Sequence, residues 1–312
     1  MSILVTGSIA YDTIMVFPDR FRNHLLPDQL HILNVCFLTP EMRREYGGTA
    51  GNIAYNLRLL GEQPLVMATV GEDIDAYLAR FAELGIGTEH LKRIPGQFTA
   101  QGFITTDLDN NQITNFHPGA MTCSHQNHVT RHLGARLAII GPDGKQGMQQ
   151  HARECAEHGV PFLFDPGQGL PMFSGEELAE LLRLADYVAV NDYEGKLLEE
   201  KTGRKLEDLA RDVKALVVTR GAQGSRIIAG DVQHEIPVAH AERVVDPTGC
   251  GDAYRAGLLY GIAQGWDWPR IGRLGATLGA IKIASRGAQN HPADRATVEA
   301  RYRRSFGESP WR

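Results

Sequence analysis

The sequence predicts an α/β protein built on a doubly wound, mainly parallel sheet, and three observations carry that reading. Residues 137–220 alternate short apolar runs with helical stretches, the βαβα series of a parallel sheet covered on both faces. The chain opens on Ile3-Leu4-Val5-Thr6-Gly7, an apolar run closed by Gly-Ser that fits a buried parallel strand. Near the other end, Asp246-Pro247-Thr248-Gly249-Cys250-Gly251-Asp252 feeds three small residues and an acid into a helix read over residues 254–264.

A chain of 312 residues makes one large α/β domain or two smaller ones, and 43% hydrophobic residues are ample for the core. A net charge of -5 with no long basic run speaks against nucleic acid as a partner, because phosphate-backbone binding needs clustered Lys and Arg. The first residues carry no basic leader and Asp12 breaks their apolar run, so no signal peptide or membrane span is expected, and a cytoplasmic protein is. Cys36, Cys123, Cys155 and Cys250 are widely spaced and contain no Cys-x-x-Cys pair, which predicts reduced thiols rather than disulfides or a thiolate zinc site.

Asp12 lies just beyond the first strand, where open α/β sheets form clefts, and reads either as a substrate-binding carboxylate or as a turn former. Residues 15–39 show no helical period, and 31–38 alternate loosely enough to form a strand outside the main sheet. Gly47-Gly48 then opens a helix running to a stop at Gly61, with Asn52 on its first turns. Paired glycines let a ligand approach the backbone, and the Asn52 amide can both donate to and accept from a hydroxyl. Arg43 and Arg44 just before it are either a bidentate phosphate clamp or a solvated surface pair.

Residues 64–70 read as a strand and 73–84 as an amphipathic helix. Two β-rich runs, 98–105 and 112–117, flank the polar cluster 107–111, a hairpin turn. Cys123, His125, His128 and His132 crowd together, and His128 and His132 would share a helix face. With no His-Glu-x-x-His and no second cysteine, a structural or surface role is expected rather than zinc. Asn191-Asp192-Tyr193-Glu194 follows a strand at a helix start, so it is either an N-capping arrangement or a group that meets phosphate and Mg2+ through hard oxygens. Asp267 and Pro269 start a last helix that reaches Ser285.

The Gly249-Cys250-Gly251 run has the chemistry of an anion cradle: small residues whose N–H groups sit at a helix N-terminus. Asp252 on the first turn is placed to take a proton from a hydroxyl attacking phosphorus, or merely to cap the helix. Neither the Gly-x-x-x-x-Gly-Lys-[Ser/Thr] loop nor a His-Arg-Asp motif is present to bind ATP in another way.

The Asp-x-x-Gly-x-Gly-Asp pattern ending at Asp252 resembles the C-terminal signature of the ribokinase-like, or pfkB, family of sugar and nucleoside kinases. Gly47-Gly48-x-x-x-Asn52 resembles that family's N-terminal signature, and Asn191-x-x-Glu194 and Thr219-Arg220-Gly221 fall at its remaining motif positions in order. The run from Asn111 to Met121 is more similar to adenosine kinases and broad-specificity nucleoside kinases than to sugar kinases.

The resemblance implies a ribokinase-like fold in which residues 1–312 form one unit, with a small β-sheet lid from two excursions at about 13–46 and 97–120. It implies an ATP- and Mg2+-dependent kinase acting on the 5'-hydroxyl of a purine nucleoside such as adenosine, inosine or guanosine. Asp252 would be the base and Gly249, Cys250 and Gly251 the anion hole; Asp12, Gly47, Gly48, Asn52, Gln112, Ile113 and Phe116 would bind the acceptor. Asn191, Thr219, Gly221 and Gly287 would line ATP, Glu194 would hold Mg2+ through water, and Asp246 would belong to a monovalent-cation site, K+ being the candidate. A sugar or sugar-phosphate kinase of the same family and a non-catalytic nucleoside-binding regulator are the alternatives, and monomer and homodimer both stay open.

Overall fold

The structure, a computed structural model, describes residues 2–25, 34–109 and 111–311. In chain order the strands are β1 (Ser2–Thr6), β2 (Ala10–Val16), β3 (Glu41–Gly47), β4 (Leu65–Val70), β5 (Leu91–Arg93), β6 (Ala100–Thr106), β7 (Gln112–His117), β8 (Ala135–Ile140), β9 (Phe162–Phe164), β10 (Tyr187–Asn191), β11 (Ala215–Thr219), β12 (Ser225–Ala229) and β13 (Val232–Ile236). The α-helices are α1 (Thr49–Leu59), α2 (Asp75–Leu84), α3 (Lys145–His158), α4 (Gly175–Leu184), α5 (Asp192–Thr202), α6 (Leu206–Leu209), α7 (Cys250–Ala263), α8 (Trp268–Lys282) and α9 (Arg295–Phe306).

Nine strands form the main sheet in the order β13-β12-β11-β10-β9-β8-β1-β4-β5. Pairing is parallel from β5 through β11, and β12 and β13 are added antiparallel at one edge. Side chains along each central strand alternate between two buried layers. Ile3, Val5, Ile139 and Val217 pack under α1, α7 and α8, whereas Leu4, Ala138, Ile140, Phe164 and Val218 pack under α3 and α4. Burial on both faces is why these strands read as continuous apolar runs.

The expected bounds of α3, β10 and α5 coincide with the observed ones. Helix α7 starts four residues earlier than the sequence reading, because only Gly249 carries a positive φ (77°) and Cys250 and Gly251 already belong to the first turn. The reading also passes over the β12 and β13 hairpin, although its two-residue Gly230-Asp231 turn is a hairpin signal. It passes over α9 as well, whose start is capped by the Asp294 side chain accepting from Thr297 N–H.

A second sheet of four strands, β3-β2-β6-β7, stands apart. β2 pairs antiparallel with β3 and parallel with β6, and β6 pairs antiparallel with β7. Asp107 organises the turn between β6 and β7: its Oδ1 accepts from Asp109 and Asn111 N–H, and its Oδ2 accepts from Phe21 N–H. That last bond ties the first excursion of the chain to the second. The strand expected over residues 31–38 falls partly outside the described residues; 34–40 are irregular, and the returning strand begins only at Glu41, where pairing with β2 starts. Among the described residues, no helix is long and apolar enough to cross a membrane.

Candidate active site

Two helix N-termini meet at the carboxyl edge of the main sheet. α1 is entered through Gly48 at φ 84°, where a Cβ would stand 2.5 Å from Ser8 O and 2.6 Å from Ala10 N, so only glycine fits the turn. α7 is entered through Gly249, where a Cβ would stand 2.7 Å from the Ala288 Cβ. The close approach brings Asn52 against Asp252, with Asn52 Nδ2 donating to Asp252 Oδ2 at 2.8 Å.

The first turn of α7 offers its backbone to a ligand. The N–H groups of Gly249, Gly251 and Asp252 have no acceptor among the described residues, as expected for a helix start that can bind an anion. Cys250 differs from the expectation: its N–H donates to Pro247 O at 3.1 Å and closes the preceding turn, so it is committed before any ligand arrives. Burial pushes the Cys250 thiol up to about 11, which keeps it protonated at neutral pH.

A one-way relay orients Asn52. Tyr77 Oη donates to Gly47 O at 2.7 Å and accepts from Gln289 Nε2 at 2.6 Å; Gln289 Nε2 also donates to Asn52 Oδ1 at 3.0 Å. The Asn52 oxygen is therefore spoken for, and its NH2 must face Asp252. Burial raises Asp252 to about 7 against the opposing bond from Asn52, with Asp165 and Asp12 adding negative charge and Arg255 subtracting from it. Gln289, two residues beyond the Gly287 expected along ATP, reaches back into this relay.

One turn along α7, Arg255 is buried and holds Asp165, at the end of β9, in a bidentate pair at 3.0 and 3.2 Å. Its NH2 lies 3.9 Å from Glu194 Oε2. The sequence reading singled out neither Arg255 nor Asp165, although Asp165 ends a strand and Arg255 stands three residues after Asp252, on the same helix face. Asn191 and Glu194 form a full capping box: Asn191 Oδ1 accepts from Glu194 N–H and Glu194 Oε2 accepts from Asn191 N–H, both at 2.7 Å. That leaves Glu194 Oε1 for a further contact. Asn191 and Thr219 are register partners at the ends of β10 and β11, and Gly221 follows in an exposed turn, so these three lie along one sheet edge.

In the small sheet, Glu45, Asp12, Gly102 and Phe116 form one row across the four strands. Their side chains share a face, and Gly102 leaves open the space beside Asp12 Oδ1 that a Cβ would enter at 2.8 Å. Burial raises Asp12 to about 6, with Glu45 and Asp246 adding to the shift. Phe116 is 54% exposed. Gln112 lies four residues from Phe116 and shares its face, but Ile113 lies three residues away and turns to the opposite side. Ile113 and Phe116, both expected to bind the acceptor, therefore do not face it from the same side of β7.

Arg43 is paired with Glu45 at 3.2 Å, and Arg44 stacks over the Tyr11 ring at 3.6 Å while facing Asp73 at 3.7 Å. Both guanidinium groups thus have partners within the protein. Asp246 and Gly287 meet directly: Asp246 Oδ2 accepts from Gly287 N–H at 2.9 Å.

The His cluster is dispersed rather than arrayed on a helix. His128 lies in a loop and pairs with Glu154 at 2.7 Å, and His132 sits in a separate short 3-10 turn. Among the described residues, no three His, Cys, Asp or Glu side chains converge as metal ligands. A hollow of about 670 Å³ lies at the far ends of α1 and α7, lined by Arg58, Tyr260, Trp266, Arg270 and Trp311. It is at the opposite end of both helices from Asn52 and Asp252.

A family model described as pfkB family carbohydrate kinase matches residues 11–295, and the chain belongs to that family. Within it the solved structures narrow the likeness. The nucleoside kinase of Burkholderia thailandensis in complex with inosine is 52% identical, with a TM-score of 0.90 over 99% of both chains. In complex with ADP-inosine the same enzyme gives 54% identity and a TM-score of 0.88 over 99% of this chain and 97% of that one. The nucleoside kinase of Methanocaldococcus jannaschii is 31% identical over 261 residues, 83% of this chain and 85% of its own length.

Proposed function

We propose that this protein is an ATP-dependent nucleoside kinase that phosphorylates the 5'-hydroxyl of a purine nucleoside. The observation that carries the reading is the junction of Asn52, Asp252 and the unpartnered N–H groups of α7, on the side of the small sheet where Asp12 and Phe116 share a row. Nucleoside kinases as its relatives, one of them solved with inosine and with ADP-inosine, support the same reading.

In the proposed reaction Asp12 accepts hydrogen bonds from the ribose hydroxyls and Phe116 packs on the base. Asp252 takes the 5'-hydroxyl proton as that oxygen bonds to the γ-phosphorus of ATP and the bond to the ADP oxygen breaks. A base near 7 suits this step, because about half of it is ionised at neutral pH and it is still basic enough to accept a proton. The N–H groups of Gly249, Gly251 and Asp252 receive the charge that develops on the phosphoryl oxygens. Asn191, Thr219 and Gly221 line the ATP side. Mg2+, when bound with ATP, screens the phosphate charge, and Glu194 Oε1 fits a water of its shell as a hard oxygen acceptor. The small sheet acts as the lid that keeps water from the phosphoryl group.

A sugar-phosphate acceptor would need a free cation near the substrate. Arg43 and Arg44 are engaged with Glu45, Asp73 and Tyr11, which favours the nucleoside. The free thiols of all four cysteines fit a cytoplasmic salvage enzyme. The test is comparative: kcat/KM for adenosine, inosine, guanosine, cytidine, ribose and fructose 6-phosphate with ATP. A purine nucleoside should lead, and a sugar outperforming every nucleoside would refute the assignment.

A further inference from the structure

Lys282, the last residue of α8, has a side chain with 0% exposure. An ammonium in such a place is costly unless its N–H groups find acceptors. Its Nζ donates to Asp246 O at 2.8 Å and to Ser285 O at 3.0 Å, and stands 3.9 Å from Asp246 Oδ2. Both Asp246 carboxylate oxygens are also tied to the backbone: Oδ1 accepts from Thr248 N–H and Oδ2 from Gly287 N–H, both at 2.9 Å.

The same segment is stitched to the end of α8 by three further bonds. Val245 N–H and Asp246 N–H donate to Ile283 O at 2.8 and 3.1 Å, and Arg243 Nε donates to Ala284 O at 2.9 Å. The carbonyl end of a helix favours positive charge, and Lys282 supplies it there. Three residues beyond Asp246 the chain enters Gly249 and the free N–H groups of α7.

We infer that the Lys282 ammonium is a tethered cation that fixes the anion-binding loop, where the family resemblance implies a diffusible monovalent cation beside Asp246. The site does not suit K+: Nζ already stands on the carbonyls of Asp246 and Ser285 and 3.9 Å from Asp246 Oδ2, so a second cation among the same oxygens would meet the charge of the ammonium. Lys282 is thus a positioning residue, acting on the phosphoryl group through the Asp246 to Gly251 backbone, and turnover is independent of potassium. The inference rests on the kinase reading above.

Wild type, Lys282→Met and Lys282→Ala are compared in tetramethylammonium buffer, then with potassium or ammonium chloride added. Wild-type kcat and thermal midpoint should not respond to potassium beyond the effect of equal ionic strength. Lys282→Met keeps the stem but loses the charge, and kcat should fall on the order of tenfold to a hundredfold with the nucleoside KM little changed. Lys282→Ala opens room for an ion, so potassium or ammonium should restore part of its kcat and raise its thermal midpoint. Potassium activation or stabilisation of the wild type overturns the inference, as does a Lys282→Met enzyme with wild-type kcat. Should the variants fail to fold, the wild-type titration still decides. A wild type that phosphorylates no nucleoside in any salt refutes the kinase reading instead, while its thermal midpoint continues to report on the cation.

Discussion

Asn52 and Asp252 stand 200 positions apart in sequence and 2.8 Å apart in space, and the bond between them has a fixed direction. Because Gln289 donates to the Asn52 oxygen, the Asn52 amide can only donate to Asp252, which holds Oδ2 and leaves Oδ1 without a hydrogen-bond donor among the described residues. A carboxylate held on one side and raised by burial has the properties of a general base.

Asp252→Asn keeps the size and the contact with Asn52 but cannot take a proton. Turnover should drop about a hundredfold to ten-thousandfold, with ATP affinity by calorimetry nearly unchanged. A variant retaining roughly a third of wild-type turnover would reduce Asp252 to a helix-start residue.

Activity should depend on pH through this group. As the proposed base, Asp252 would work ionised, so kcat/KM should fall about tenfold per pH unit on the acid side of about 7. The bond from Asn52 stabilises the ionised form and lowers the pKa, so Asn52→Ala should move the acid limb to higher pH. A limb that stays put or moves lower contradicts the relay.

Asp12→Ala should weaken the acceptor and leave the KM for ATP alone. Losing a charge-assisted acceptor costs about 1.5 to 3 kcal/mol, roughly tenfold to a hundredfold in nucleoside KM. Steady-state kinetics with each substrate varied in turn decide it; an unchanged nucleoside KM removes Asp12 from the site.

The parity of β7 separates two neighbouring apolar residues. Phe116→Ala should lower nucleoside kcat/KM by an amount equivalent to about 0.5 to 1.5 kcal/mol, while Ile113→Ala, on the other face, should not. Equal losses in both variants would mean that the small sheet does not meet the base through the face of Asp12.

Asp165→Ala leaves the Arg255 guanidinium buried beside Glu194 without its bidentate partner. Breaking one side of such a buried pair typically destabilises by about 3 to 5 kcal/mol, visible as a lower urea midpoint. A midpoint within error of wild type would show that Arg255 finds another acceptor.

Local pattern was sufficient for the central strands and helices, although it passed over β12, β13 and α9. Apolar runs with period 2 or none and stretches with period 3.6 report burial directly, so α3, β10 and α5 could be bounded from the sequence alone. The glycine motifs were legible because Gly48 and Gly249 take backbone conformations that few other residues adopt. Asn52 and Asp252 were singled out because those motifs resemble the family's signatures, and Asp12 because of the same resemblance at the N-terminal end. What the chain's own pattern did not determine is which distant groups meet. Lys282 reads as an ordinary basic residue at a helix end, and only the packing of α8 against the 243–249 segment makes it a buried cation. Arg255 becomes the partner of Asp165 only because α7 lies across the end of β9. The opposed faces of Phe116 and Ile113 acquire meaning only once β7 is paired in register with β6. The Cys250 N–H is lost to a ligand only because the turn closes on Pro247. Hydrophobic periodicity is a property of neighbours in sequence, whereas pairing of charges and hydrogen-bonding groups depends on contacts that tertiary packing creates.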